Sequence, residues 1–407
     1  MLFRSASSFV NAVREDSEVK GLLYAGTELG FYVSFNDGEQ WQPLQLNLPV
    51  TSVRDITIHD DDLVIATHGR SFWIMDDITS LRQMASHPSA GPRLYQPSAA
   101  VRIDNDVFLG SPLPPEEPTA KNPPDGAIID YYLPSAVKMV TLEISDSSGK
   151  LVRRFTSAVK KDQPHPPMAI AERWIPKPIL LESTAGAHRF VWDLRWGSSG
   201  LSSAEDEEGM SAPRGPRVVP GTYQLKLTVD GNTLTQSLKL TMDPRAQVTT
   251  AELNDQLRVG LDIFNQLRDA RKAQAEIGAV KKHVAELPAP FLAKHQQLLA
   301  EITSVNAQIE RIEEGEKSTP GAISGLDSAI MGLGAALRVV ENSDRALPSQ
   351  ALELNREASK AADDALADWK RVKTDQLAKL NNSLQGAGQP VIQISEIEQE
   401  ADYVMSQ

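Results

Sequence analysis

Residues Gly21 to Trp41, GLLYAGTELGFYVSFNDGEQW, carry two short apolar runs into a polar turn that closes on a tryptophan. Leu22 to Gly26 and Phe31 to Phe35 alternate as half-buried strands do, with Thr27 to Gly30 as the turn between them. In Ser34-Phe35-Asn36-Asp37-Gly38-Glu39-Gln40-Trp41, the Asn and Asp side chains can accept backbone N–H bonds two residues on. Gly38 supplies a positive φ and Trp41 covers the turn with an apolar ring. The turn is therefore architectural.

The pattern begins again downstream. Val53 to His59 alternates, Asp60-Asp61-Asp62 forms an acidic turn, Leu63 to Thr67 is nearly continuous apolar, and Gly69 leads into Ser71 to Met75. GLLYAGTELGFYVS and DDLVIATHGRSFWIM align as strand, A-(G/T)-T-(E/H), turn, aromatic strand, an internal repeat. With a first strand from Phe9 to Val13 and a fourth from Trp41 to Leu44, residues 1–77 read as strands only.

Residues 78–125 read as a proline-rich connector, HPSAGPRLYQPSAA and LGSPLPPEEPTAKNPPDG, expected to lie extended against a neighbour, with one strand from Ala100 to Leu109. From residue 126 to 245 the period of two returns. Ala127 to Leu133, Lys138 to Ile144, Leu151 to Phe155, Ala187 to Trp196, Gly221 to Val229 and Leu234 to Met242 make a β-sandwich, interrupted by an acid-rich loop around Glu205 to Glu208. Residues 249–385 are helical. Thr249 and Glu252 form a capping box, and stripes through Leu253, Leu298, Leu333 and Ala362 predict four helices in an up-and-down antiparallel bundle, one of them unbroken from Ser349 to Leu384. Residues 386–407 read as a loose tail in which Val391 to Ile394 can add an edge strand. The fold class is multidomain, mainly β plus all-α.

With 407 residues the chain is long enough for several cores. Its 41 basic and 54 acidic side chains give a net charge of −13 with no long basic run, which argues against nucleic acid and for a cationic or neutral partner. The absence of cysteine excludes disulfides and thiolate chemistry and leaves the compartment open. No apolar run reaches about 18 residues, so no membrane span is expected. MLFRSASSFVNAVRED turns polar before any useful apolar run, so no secretion signal is read.

The octet Ser34 to Trp41 resembles an Asp-box, the S-x-D-x-G-x-x-W turn of BNR-repeat β-propellers, carried by Ser34, Asn36, Gly38 and Trp41, with Asn36 in place of the usual Asp. The first fifth of the chain, roughly, is similar to the end of the propeller in large bacterial BNR-repeat proteins, themselves similar to the sortilin propeller and often labelled glycosyl hydrolase. GKLVRRF, HRFVWDL and VPGTYQLKLTVDG resemble the FlgD-type Ig-like module of exported bacterial proteins. The resemblance implies two propeller blades, with Trp192 and Tyr223 as core residues of an Ig-like sandwich. It implies also a secreted or periplasmic parent. A propeller closes with about four to eight blades, so the chain is expected to be part of a longer exported protein, or to have its open strand edges covered by a partner.

An Asp-box suggests sialidases, whose site needs an arginine cluster, a tyrosine paired with a glutamate, and an acid drawn from several blades. Two blades cannot supply it, and no catalytic residue is assigned. Glu28, Arg54, His68, Arg70, Asp76 and Asp77 form the candidate ligand surface. Asp60 to Asp62 lacks calcium-loop spacing and reads as a solvated tip, and His59 with His68, placed near each other across a blade, lacks a third zinc ligand. No metal or cofactor is assigned. The expected function is a non-catalytic interaction or scaffold module binding protein or glycan, with self-association through open strand edges or the helical bundle. The alternative is the C-terminal half of a sialidase-like glycosyl hydrolase whose catalytic blades lie elsewhere.

Overall fold

The computed structural model describes residues 9–86, 91–103, 122–158, 180–197, 215–315 and 323–394. It is a mixed β and helical protein with several mainly antiparallel sheets followed by helices, and its apolar residues gather into three buried clusters in chain order.

The first cluster lies between two sheets. β1 (Val10–Glu15), β2 (Leu23–Thr27), β3 (Phe31–Ser34) and β4 (Gln42–Pro43) pair in sequence order, and so do β5 (Val53–His59), β6 (Asp62–Thr67) and β7 (Phe72–Met75). Tyr24, Phe31 and Val33 of the first sheet pack with Val53, Ile56, Leu63 and Ile65 of the second. The sheets approach so closely that a methyl at Gly26 would stand 2.4 Å from Val53 Cγ1, so only glycine fits there.

The repeated sequence is also a repeat in geometry. The Thr27 hydroxyl accepts the Gly30 N–H at 3.1 Å, and the Thr67 hydroxyl accepts the Arg70 N–H at 3.2 Å. The next residue's N–H reaches back to the chain before the first strand of its sheet. Glu28 donates to the Phe9 carbonyl at 3.1 Å and His68 to the Ser52 carbonyl at 2.8 Å.

The connector is more structured than its prolines suggested. Asp77 accepts the Thr79 N–H at 3.0 Å and starts helix α1 (Thr79–Ser86), whose Leu81 joins the first cluster together with Ile78. β8 (Arg93–Leu94) and β9 (Ala100–Arg102) are strands of the middle unit, and the rest of the expected Ala100 to Leu109 strand lies outside the described residues. β8 pairs with β10 (Ala127–Leu133), itself paired with β13 (Gly186–Trp192). A second sheet runs in the order β12 (Leu151–Thr156), β11 (Val140–Ser145), β14 (Gly221–Val229), β15 (Asn232–Met242), β9, the last pair parallel. Trp192 and Tyr223 are both buried between these sheets, their rings edge to face at 5.4 Å. The acid-rich loop around Glu205 to Glu208 lies outside the described residues.

Helix α2 (Thr250–Ala285) starts at the anticipated capping box, with Thr249 accepting the Glu252 N–H at 3.2 Å and Glu252 the Thr249 N–H at 2.8 Å. After Pro288 come α3 (Ala289–Lys294), α4 (Gln296–Glu314) and α5 (Leu326–Glu341); the second expected helix is thus broken at His295. α6 (Ser349–Arg371), a π-helical stretch Val372–Leu377 and α7 (Ala378–Gly386) make one continuous rod, as expected.

The packing departs from an up-and-down four-helix bundle. Glu313 at the end of α4 meets Lys281, Asp327 at the start of α5 meets Gln274, and the Val340 carbonyl near its end meets Gln256. The end of α4 and then α5 therefore follow each other down the same flank of α2. Gln266 meets Ser359 and Asp363, and Glu276 meets Trp369 and Lys373, so α6 runs parallel to α2. The backbones of Gly315 and Gly325 come together at the break between α4 and α5, where each would admit no Cβ. Apolar stripes count helices but do not say that two of them share one rod.

Nor is the start of the tail loose. Ile392 is buried against the helices, and its N–H and C=O both bond the Asn381 side chain, at 2.8 and 3.1 Å, with no strand formed there. Residues 395–407 lie outside the described residues.

Candidate functional site

The equivalent turns after β2 and β6 stand at one end of the paired sheets and bring three of the expected residues together. Glu28 forms an ion pair with Arg54 at 3.2 Å and accepts Asn11 Nδ2 at 3.1 Å. Asn11 also donates to Ser52 Oγ at 3.3 Å and to the Val53 carbonyl at 3.1 Å, tying the first sheet to the start of β5. Burial works against ionisation of Glu28, but hydrogen bonds from Asn11 and Ser52 and the nearby Arg54 and His68 outweigh it and hold its carboxyl below the usual value. Arg54 is half exposed, and Arg70, on the second turn, is exposed beside His68. This rim offers carboxylate, guanidinium, imidazole, amide and hydroxyl groups on the two turns and on the neighbouring β1 and β5.

Asp76 and Asp77 belong elsewhere. They follow β7 beside Asp62, the first residue of β6, whereas His68 follows its last residue, so six residues at about 3.3 Å each separate the two groups by roughly 20 Å. Arg189 of β13 donates to the Asp76 carbonyl and, at 2.5 Å, to the Asp77 carbonyl. The same guanidinium holds Asp130 at 2.8 and 2.9 Å, and Ser80 of α1 donates to Asp130 at 2.6 Å. The pair is a fastening between the first two cores. Burial and the neighbouring Asp62 carboxylate raise the Asp76 pKa above the usual value.

His59 and His68 are likewise at opposite ends of the β5–β6 hairpin, so the histidine pair considered for zinc does not form. The acidic tip is solvated, with the Asp60 side chain exposed, and it is also held: Arg82 of α1 donates to Asp61 at 2.5 Å, to the Asp60 carbonyl at 2.9 Å and to buried Asp16 at 3.0 Å. Among the described residues no group of three or more His, Asp or Glu is placed to hold a metal, and no helix is long and apolar enough to cross a membrane.

In the turn from Ser34 to Trp41, Ser34 Oγ accepts the Gly38 N–H at 2.9 Å and donates to Asn36 Oδ1 at 3.1 Å, which accepts the Gln40 N–H at 2.9 Å. Asp37 and Gly38 both have positive φ, 54° and 83°. A Cβ on Gly38 would lie 3.7 Å from the Trp41 ring. Every donor and acceptor named here is used within the turn, as an architectural role requires.

Two sets of charged residues were not among the expected site residues. Arg102, Arg195 and Arg217 of the middle unit meet Glu341 at the end of α5 and Asp344 in the turn after it. Glu276 occupies a core position of α2 and accepts Trp369 Nε1 at 2.6 Å and Lys373 Nζ at 2.8 Å, while its Oε1 is buried without a hydrogen bond. A glutamate inside the stripe Ala270, Ala273, Ile277, Val280 was the signal available for the latter.

No protein-family model matches the chain, and no curated protein does. Among solved structures, CopC from Methylosinus trichosporium OB3b is 16% identical over 31% of this chain and 82% of that chain, with a TM-score of 0.15. The extracellular domain of the putative one component system BT4673 from B. thetaiotaomicron is 10% identical over 59% of this chain and 26% of that chain, with a TM-score of 0.14. This chain thus spans about a quarter of that domain's length. Likenesses with TM-scores this low carry nothing about the fold or function of this chain.

Proposed function

We propose that the chain is a non-catalytic interaction module that binds a neutral, hydroxyl-rich ligand, a glycan or a polar protein loop, at the rim formed by Glu28, Arg54, His68 and Arg70. The observation that carries this reading is the Glu28–Arg54 pair at 3.2 Å, which joins the turn after β2 to the start of β5, with Asn11 and Ser52 behind it. A pair of this kind presents donors and acceptors together, which suits hydroxyls and gives no advantage to a bare ion. The net charge of −13 fits a neutral ligand as well.

On the same reading the two N-terminal sheets are adjacent blades of a BNR-type propeller, and the middle unit is an Ig-like module of the FlgD type that holds them in place. The repeated threonine turns support the first assignment and the buried Trp192–Tyr223 contact the second.

Binding of the full chain to arrayed neutral and sialylated oligosaccharides tests the proposal. Neutral glycans are expected to bind, with Arg54→Ala weakening capture about tenfold, the loss of one charge-assisted hydrogen bond and its ordering. Equal capture by the variant would overturn the assignment of the rim. Cleavage of fluorogenic glycosides, lost in Arg54→Ala, would replace it with the glycosyl hydrolase reading.

A further inference from the structure

The strand repeat shows one strand position that is filled in the first sheet and, among the described residues, open in the second. In the first sheet, Leu44 N–H bonds the Phe31 carbonyl at 2.9 Å, and β4 pairs with Tyr32 and Val33 of β3. Antiparallel pairs alternate between bonded and non-bonded, so the backbones of Phe31 and Val33 point away from β2 and toward β4. β7 is the equivalent of β3. The Thr67 N–H bonds the Ser71 carbonyl at 3.2 Å, which fixes the alternation and leaves the N–H and C=O groups of Phe72 and Ile74 directed away from β6. Among the described residues no strand pairs with that edge.

The side chains mark the same place. Phe72 is 74% exposed and Ile74 60%, on an edge with no lysine, proline or bulge to discourage pairing. Arg189 occupies the Asp76 carbonyl, so the open part of the edge is limited to Phe72 through Ile74.

We propose that β7 is a self-association edge that pairs antiparallel with β7 of a second copy of this chain, centred on Trp73. That register sets Phe72 opposite Ile74 of the second copy, so both outward backbones exchange N–H···O=C bonds, and the two-fold axis repeats the exchange. It joins two three-stranded sheets into a continuous one. It also brings Arg70 to the level of Asp76 of the second copy and Asp76 to the level of its Arg70, opposite charges at both ends. Phe72 and Ile74 of the two copies become cross-strand neighbours on one face. No other alignment of this edge with itself gives both the bonded parity and the charge match. Contacts on so short a stretch make a weak dimer that depends on concentration.

Sedimentation equilibrium of the full chain from micromolar to near-millimolar concentration provides the test. A monomer–dimer equilibrium is expected. Ile74→Pro removes an N–H that β6 does not use, so it should leave the circular dichroism and thermal unfolding unchanged and abolish the dimer. Arg70→Asp, an exposed change that does not touch the strand ladder, should weaken association about tenfold by placing like charges together. A chain that stays monomeric throughout overturns the proposal. So does a dimer indifferent to Arg70→Asp or to a folded Ile74→Pro, because the contact would then lie on another surface. Should Ile74→Pro fail to fold, Arg70→Asp alone decides.

Discussion

The middle β unit is fastened to its two neighbours by arginines, and the two fastenings differ in what the arginines meet. Toward the helices, Arg102 is 2% exposed and donates to Asp344, 3% exposed, at 2.6 Å, with Gln256 at 3.2 Å and the Val218 carbonyl at 2.7 Å completing its donors. Arg195 and the Arg217 N–H reach Glu341 at 3.2 and 2.8 Å alongside. Toward the N-terminal sheets, Arg189 is 28% exposed, and its anchor on the far side is two backbone carbonyls, its carboxylate partner Asp130 being on its own side. The first fastening matches charge to charge across the joint in a dry setting. The second matches charge to dipole at the surface, which makes it easier to break and cheaper to lose.

That contrast orders the expected effects. Asp344→Ala strands the Arg102 guanidinium in the interior, and leaving one buried partner uncompensated costs about 3–5 kcal/mol. Denaturant unfolding followed at Trp192 and Trp369, one on each side of the joint, should shift to a lower midpoint and separate into two transitions. Coincident transitions at the wild-type midpoint would mean that apolar contact, such as Leu257 and Leu261 against the middle core, carries the joint instead. Arg189→Ala also removes hydrogen bonds to a charged group, but water can replace them, so about 1–2 kcal/mol is expected. Its signature is faster amide exchange in α1 and β7 with β14 and β15 unaffected. Equal exchange throughout would make the two fastenings alike.

Much of the architecture was legible because it rests on local rules. Period-two strands such as Ala127–Leu133 and Gly221–Val229, and the capping box at Thr249, declare themselves within a few residues. The joints did not, because Arg102 and Asp344 are 242 residues apart and no spacing rule connects them. Helix α1 was hidden for a related reason. Its start depends on Asp77, read in the sequence as a site residue, and its burial depends on a core formed by strands elsewhere. Within the candidate site, the repeated A-x-T-(E/H) pattern puts Glu28 and His68 at equivalent positions, each just after the threonine of its turn. Asp76 and Asp77 were misplaced because two residues close to His68 along the chain end up a whole strand away once β6 and β7 form a hairpin.

Glu341 sharpens the comparison by pH. Burial raises its pKa above the ordinary 4.5, more than the Arg217 N–H and the charges of Arg195, Arg102 and Arg217 lower it. A carboxyl with a raised folded pKa binds more protons folded than unfolded in the interval between the two values, so stability falls as pH rises through it. The facing groups are Arg195, Arg217 and Arg102 from the β side and Asp344 from the helical side. Glu143, on the middle sheet's outer surface, behaves oppositely, since Lys226 and Arg154 lower its pKa and its contribution disappears as pH falls. Glu341→Gln removes the titration while keeping an acceptor for the Arg217 N–H. The variant is therefore expected to gain on the wild type as pH climbs from about 4 toward neutrality, with the gap least at the acid end. The reverse trend in denaturant midpoints would show that the arginines outweigh burial, and that the helical joint is held by an ionised Glu341 as well as by Asp344.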